Sequence, residues 1–322
     1  PRIFERVYGR IQDQLAAAPW IRRALFRLAV EVGWRRFERE QGRAGWSPTL
    51  LLWPLLRKLV AGKVLDKLGG RLRAAVGGGA ALPFPVARVF IGLGVPILQG
   101  YGLTETSPVL SVNLPEDNDP ASVGVPLRGT ELRIGPNEEL LARGPGVMLG
   151  YWNNHVATAQ MIDADGWLHT GDQARIDNGH IYITGRIKDI LVLSNGEKVP
   201  PGDMESAICL DPYIDQALVV GEGRPYLAAL LVLDSEHWFG LAKQLGLDPY
   251  APESLNDERL HAHILRRLRA QLHAFPGYAK IRRVALFLEP WTVDSGLQTP
   301  TVKLKRGKVL ERFGAAVEAL YR

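Results

Sequence analysis

The run Val95-Pro96-Ile97-Leu98-Gln99-Gly100-Tyr101-Gly102-Leu103-Thr104-Glu105-Thr106 is where the sequence commits to an architecture. Val95–Leu98 is a short apolar stretch bounded by turn residues, which predicts a buried strand. Such strands belong to α/β sheets, where ligands collect beyond the carboxyl ends of the strands. The residues that follow suit that position. Tyr101 offers an aromatic face for a base and Gly102 a flexible joint. Thr104 offers a hydroxyl for a phosphate, and Glu105 a carboxylate for Mg2+. A polar loop with a helix cap would use the same residue types.

Upstream, residues 71–76 predict a short strand running into Gly77-Gly78-Gly79-Ala80. Glycines there let backbone approach a flat or anionic ligand closely. A tight strand-to-helix turn uses them too. Residues 86–92 read as a helix, and residues 1–68 as largely helical, broken at Gly42–Pro48 and at Pro54.

Downstream, residues 120–184 change to short strands, Glu131–Ile134, Leu140–Arg143 and Gly179–Thr184, which predict a small β-rich unit. Within it, Gly166-Trp167-Leu168-His169-Thr170-Gly171-Asp172 fixes an aspartate after a glycine turn. There it can accept both hydroxyls of a ribose, or stabilise its own turn. His169 reads as a structural histidine. A turn-rich joint over 185–202 contains Gly185-Arg186-Ile187-Lys188-Asp189 and Asn195-Gly196-Glu197-Lys198, with a division near residue 187. Beyond it the pattern predicts a helix at Asp203–Cys209 and a hairpin of Ala217–Val220 with Ala228–Leu233. Leu260, Ile264, Leu265, Leu268 and Leu272 line one helix face, and Arg282–Leu288 reads as a strand. The cationic run Thr299–Arg306, taken alone, is solvated surface.

The chain's 322 residues suffice for two domains, and 46% hydrophobic with 23% charged residues excludes wholesale disorder. A single cysteine, Cys209, excludes an internal disulfide framework and a multi-cysteine zinc site. No apolar run reaches the ~18 residues that cross a bilayer. No secretory signal is visible, so a cytoplasmic location is expected. Pro1 in place of methionine predicts that the chain begins inside a larger protein. Charge is segregated: residues 1–75 hold 16 basic and 6 acidic side chains, residues 76–277 hold 14 and 24. Near the start, Arg22, Arg23, Arg27, Arg35, Arg36 and Arg39 alternate with Ile21, Leu25, Leu28, Val32 and Phe37 at helical spacing. That predicts a helix lying on a core, with peripheral contact to the inner face of a membrane as the alternative. No nucleic-acid motif accompanies the charge, so no nucleic-acid partner is expected. Oligomeric state leaves no mark on the sequence.

Taken in order, the Gly77–Ala80, Tyr101–Thr106, Gly166–Asp172, Gly185–Asp189 and Thr299–Arg306 segments resemble the adenylate-forming superfamily of AMP-dependent synthetases and ligases. Gly144-Pro145-Gly146-Val147-Met148-Leu149-Gly150-Tyr151-Trp152-Asn153-Asn154 and the Leu297–Arg306 ending are most similar to long-chain fatty acyl-CoA synthetases. Pro1–Tyr8 is similar to the middle of that family. The resemblance implies an α/β plus α+β chain. Residues 1–186 would be the C-terminal part of a large adenylation domain, an α/β layer with a β-rich subdomain. Residues 187–322 would be a small, mobile C-terminal lid.

It also implies ATP-dependent conversion of a long-chain fatty acid to acyl-AMP, then transfer to coenzyme A. Gly78, Gly79 and Tyr101 would frame adenine, with Gly102 in the same loop. Thr104 would meet the α-phosphate and Glu105 the Mg2+. Asp172 and Arg186 would hold the ribose. Lys303, with Lys305 as second candidate, would reach the acyl carboxylate and α-phosphate. Lys188 would be the hinge, and the loop around Gly196 would line the passage for the thiol. The sequence departs from the family at Glu138-Glu139, usually Gly-Glu, and at His155-Val156, usually Pro-Glu. A Ser/Thr/Gly-rich phosphate loop ending in lysine is missing from residues 1–100. The chain alone is therefore expected to fall short of the first half-reaction. The rival expectations are a ligase serving a carrier protein or an aryl acid, and a non-catalytic nucleotide-binding protein.

Overall fold

The computed structural model describes residues 2–322, which divide after Ile187 into two compact units. The first opens with helices Arg2–Ala16 and Trp20–Glu40, separated at Pro19. The break expected at Gly42–Pro48 is present. The one expected at Pro54 is not. A 3-10 turn over Pro48–Leu52 runs straight into helix Trp53–Leu56, and Pro54 sits in its first turn, where a missing N–H is tolerated. The helical path then continues to Lys67.

The arginine-rich helix also departs from a simple stripe. Ala29, Val32 and Gly33 are buried, but Ile21 and Leu28 are 59% and 41% exposed. The burial is set by a close crossing with helix Phe84–Gly92. A Cβ at Gly33 would fall 1.7 Å from the carbonyl oxygen of Gly92. The approach lets Ala29, Val32, Trp53, Leu56 and Leu93 close one core.

The first sheet is ordered β1 (Ala75–Gly77), β2 (Ile97–Tyr101), β3 (Ser111–Val112), β4 (Val125–Pro126). Strands β1 and β2 are parallel, and the remaining pairs antiparallel. β2 starts later than the apolar run predicts. The Val95 N–H donates to the Phe90 carbonyl at 2.9 Å, which holds Val95 in the turn that closes the preceding helix. Gln99 is buried within β2 and satisfied on both ends: its Oε1 accepts from Leu82 N–H at 2.9 Å and its Nε2 donates to Pro120 O at 2.6 Å.

The β-rich part is one antiparallel sheet, β5 (Glu131–Ile134), β6 (Glu139–Arg143), β7 (Leu168–Asp177), β8 (His180–Arg186). Trp167, at the entry to β7, stacks with the guanidinium groups of Arg133 and Arg143, 4.1 and 4.5 Å from its ring centroid.

The second unit begins with the short pair β9 (Leu191–Val192) and β10 (Lys198–Val199), then helix Pro201–Ile208. Its main sheet has the order β11 (Ile214–Val220), β12 (Leu227–Leu233), β13 (Ile281–Phe287). All seven residues of β12 are buried, as a continuous apolar run predicts for a strand covered on both faces. One face packs on Leu260, Ile264, Leu268 and Leu272 of the helical segment starting at Glu258, the other on Trp291, Leu297 and Val309. Asp211, 3% exposed, accepts from Arg267 Nε through both oxygens at 2.9 Å. Among the described residues, no helix is long and apolar enough to cross a membrane.

The Gly33 crossing gives a direct stability test. Gly33→Ala should destabilise the first unit by about 2–3 kcal/mol, the usual scale of overpacking. Gly9→Ala, with nothing within 4 Å of its added Cβ, should be neutral or stabilising by up to about 1 kcal/mol. Urea unfolding midpoints of the two variants check the contrast.

Candidate active site

The site is built around the carboxyl end of β2. The parallel register that sets Gly77 beside Gln99 carries Gly78 alongside Gly100, where a Cβ on Gly78 would lie 3.5 Å from the Gly100 carbonyl oxygen. Gly79 has a φ of +80° and open space at its Cβ position. Exposed backbone therefore flanks the strand end.

Tyr101 ends β2 and packs against two apolar clusters, one of Leu110, Ala142 and Leu168 and one of Leu140, Ala174 and Ile181. Its hydroxyl donates to Asp172 Oδ2 at 2.6 Å. Asp172 Oδ1 accepts from Arg186 Nε at 3.0 Å. The sequence reading put Asp172 just after a glycine turn. It lies instead inside β7, directly opposite Arg186 of β8. Its carboxylate bonds to these two side chains and not to its own turn. The Asp172 side chain is 9% exposed and that of Arg186 54%. The buried carboxylate is thus met by a phenol from inside and a guanidinium from outside.

The loop after Tyr101 locks itself. Thr106 is buried, and its hydroxyl accepts from Leu103 N–H and lies 2.9 Å from the carbonyl oxygens of Leu103 and Pro108. Gly102 is required here: a Cβ would sit 1.8 Å from the Pro108 carbonyl oxygen. Thr104 is exposed on the same short turn, and Glu105 is half-buried. Glu105 Oε1 accepts from the Tyr151 hydroxyl at 2.8 Å, and its carbonyl accepts from Met148 N–H at 2.8 Å. That hydrogen bond raises the Tyr151 phenol above its ordinary range and keeps it a donor.

Among the described residues no three His, Cys, Asp or Glu side chains converge on a metal position. A lone carboxylate still fits Mg2+, which takes most of its ligands from phosphate oxygens and water. Glu105 is that carboxylate.

The first unit thus gathers Gly78, Gly79, Tyr101, Asp172 and Arg186 about the end of β2, and carries Gly102, Thr104 and Glu105 in the loop leaving it. The other expected residues lie in the second unit. Lys188 is exposed on the turn Ile187–Asp189. Gly196 has a φ of +86° in the turn joining β9 to β10. Lys303 is exposed in the loop before helix Arg306–Arg312.

Two residues of the site went unassigned in the sequence. Tyr151 lies in a segment noted only for its family likeness. Glu139, noted only as part of a departure, accepts from Gly171 N–H at 2.9 Å and bonds His169 Nδ1 at 2.8 Å, so it braces the approach to Asp172. His169 is therefore engaged in the structure, as its reading expected.

Comparison with known proteins matches residues 29–152 to the family described as AMP-binding enzyme and residues 188–322 to the AMP-binding enzyme C-terminal domain. The long-chain-fatty-acid–CoA ligase FadD15 of Mycobacterium bovis is 36% identical over 329 residues, covering 100% of this chain and 54% of that protein. The chloroplastic long-chain-fatty-acid–(acyl-carrier-protein) ligase AEE15 of Arabidopsis thaliana is 30% identical over 368 residues, covering 100% and 49%. Among solved structures, the adenylation domain of a carboxylate reductase from Mycobacterium chelonae superposes with a TM-score of 0.68 at 25% identity, over 91% of this chain and 45% of that one. The chain spans about half the length of the curated relatives it matches.

Two phenols in this unit make its alkaline behaviour predictable. Burial, then the Asp172 carboxylate, holds Tyr101 far above the tyrosine range. Burial and a hydrogen bond to Asp119 push Tyr182 up to about 12. A folded pKa above the unfolded one favours the protonated phenol in the fold. That part of stability is whole below about pH 10 and is lost as pH rises through the folded values. Unfolding free energy measured from about pH 9 to 12 should fall more steeply for the parent than for Tyr101→Phe, which has no phenol to ionise. Equal slopes would mean that burial and Asp172 together do not hold the Tyr101 phenol protonated.

Proposed function

This chain belongs to the AMP-binding enzyme family, and from that membership we propose that it handles the nucleotide in a ligase that activates a long-chain fatty acid as acyl-AMP and passes the acyl group to coenzyme A. Its fold is that of the adenylation domains. The observation that carries the proposal is the Asp172 carboxylate held between Tyr101 and Arg186 at the end of β2, beside the open backbone of Gly78 and Gly79. On this reading residues 1–186 belong to a large adenylation domain and residues 187–322 form its lid.

The chemistry asked of these residues is mostly positioning and charge neutralisation. A carboxylate offers about four acceptor sites, and Tyr101 and Arg186 use two, which leaves capacity for the two hydroxyls of a ribose. Gly78 and Gly79 give adenine a surface without side chains. Thr104 donates its hydroxyl to the α-phosphate. Glu105 would hold Mg2+, which offsets charge on the phosphate oxygens. In the first half-reaction a carboxylate oxygen of the fatty acid bonds to the α-phosphorus as the bond to pyrophosphate breaks. Lys303 donates to the oxygens on which charge gathers. In the second, the thiol sulfur of coenzyme A bonds to the acyl carbon, AMP leaves, and the thiol proton goes to solvent. Lys188 absorbs the backbone rotation between the two steps.

The likeness to a protein named as an acyl-carrier-protein ligase favours a second reading, in which the acceptor thiol belongs to a carrier protein. Offering both acceptors to preformed acyl-AMP separates the two.

Titration of AMP into the chain by calorimetry tests the carrying observation. Asp172→Asn should weaken AMP binding about tenfold or more, since a hydrogen bond to a charged group is worth about 1.5–3 kcal/mol. Unchanged affinity would assign Asp172 to the fold alone. In the native protein, Lys303→Ala should slow acyl-AMP formation while sparing thioester formation from supplied acyl-AMP. Lys188→Pro, which fixes φ near −65°, should do the reverse. Loss of the same half-reaction in both would refute the division of labour.

A further inference from the structure

Lys303 sits on an exposed loop, yet the backbone beneath it is tightly held. Lys305 N–H donates to Leu297 O at 2.8 Å and Thr299 N–H to Lys303 O at 2.8 Å. Gln298 and Leu304 pair between them as an antiparallel bridge. Inside the loop, Val302 N–H donates to Thr299 O at 2.7 Å and Lys303 N–H to Thr299 Oγ1 at 3.0 Å. The Thr299 and Thr301 hydroxyls lie 2.9 Å apart. Leu304 packs into the core, so Lys303 and Lys305 on either side of it face outward.

Two features exceed what a connecting loop needs. Val302 has a φ of +63°, a left-handed conformation that disfavours β-branched residues. Such a conformation persists only where its surroundings impose it, and it concentrates at functional positions. The second feature is at the foot of the loop. Arg306 donates to Val219 O at 2.7 Å and to the Glu205 carboxylate, while Glu205 Oε1 accepts from Val219 N–H at 2.8 Å. The ring closes on one buried residue of β11, Val219, through its N–H and its carbonyl. Burial raises the Glu205 carboxyl against the pull of Arg306.

On the reading that Lys303 serves acyl-AMP formation, we propose that Val302, Arg306 and Glu205 are positioning residues that fix the Lys303 backbone before substrate arrives. A lysine side chain is long and flexible. Its ammonium can stabilise developing charge strongly only if the rest of its freedom is already removed. A left-handed valine on one side and an anchored arginine three residues on remove it.

Val302→Gly is the discriminating variant, because glycine adopts positive φ without strain and frees the loop without opening the core. On this chain, thermal unfolding and amide hydrogen exchange over 299–305 are measured. On the native protein, the two half-reactions are measured separately, with Lys303→Ala as reference. Val302→Gly should unfold at the same temperature or higher. It should exchange at 302–304 about tenfold faster and make acyl-AMP about tenfold more slowly. KM for ATP and the thioester step should stay unchanged. Arg306→Gln should shift both readouts in the same direction, with Arg306→Lys partly restoring them. Unaltered exchange in Val302→Gly, or a loosened loop with full acyl-AMP formation, overturns the positioning role. If Lys303→Ala itself keeps full acyl-AMP formation, the functional reading fails and takes the positioning role with it. If Lys303→Ala is impaired and Val302→Gly is not, only the positioning role fails.

Discussion

A carboxylate withdrawn from water must be met by donors, and around Asp172 that demand organises the first unit. The donors come from two sheets: Tyr101 from the end of β2, and Arg186 from β8 beside the strand that carries Asp172. Tyr101 reaches Asp172 from a position packed against two apolar clusters, Leu110, Ala142 and Leu168 in one and Leu140, Ala174 and Ile181 in the other. The interaction that joins the sheets is also the one that would hold a ribose. Fold and site therefore share their most constrained atoms.

Much of this was legible in the sequence, for reasons that differ by element. β12 announces itself because both faces are buried and every residue is apolar. Helix Glu258–Gln271 announces itself because one face carries leucine and isoleucine at helical spacing. β7 did not, although its burial alternates cleanly through Leu168, Thr170, Asp172 and Ala174. Two of those inward positions are polar, so a hydrophobic period of two never forms. Pro54 misled for a local reason, since proline breaks a helix only beyond its first turn. Ile21 and Leu28 misled because the crossing glycines, not the apolar side chains, choose the buried face.

The site was legible by residue type and order, and illegible in its bracing. Tyr101 and Asp172 stood out separately, but nothing in either segment says that one bonds the other. Tyr151 on Glu105, Glu139 on His169 and Gly171, and Arg306 on Glu205 are all pairings distant in sequence. Each is a charged or phenolic group whose partner is set by tertiary packing.

The sheet of the second unit has a consequence for how that unit acquires its structure. β11 and β12 form a hairpin whose contacts are local, so they can assemble within microseconds. β12 pairs on its other side with β13, in parallel, and the intervening chain includes the helices Ser235–Leu245 and Glu258–Gln271. Closing that long connection costs entropy before any contact rewards it. Until β13 docks, one edge of a wholly apolar strand stands open. The connection between them faces a race: to bring β13 onto that edge before another chain pairs with it.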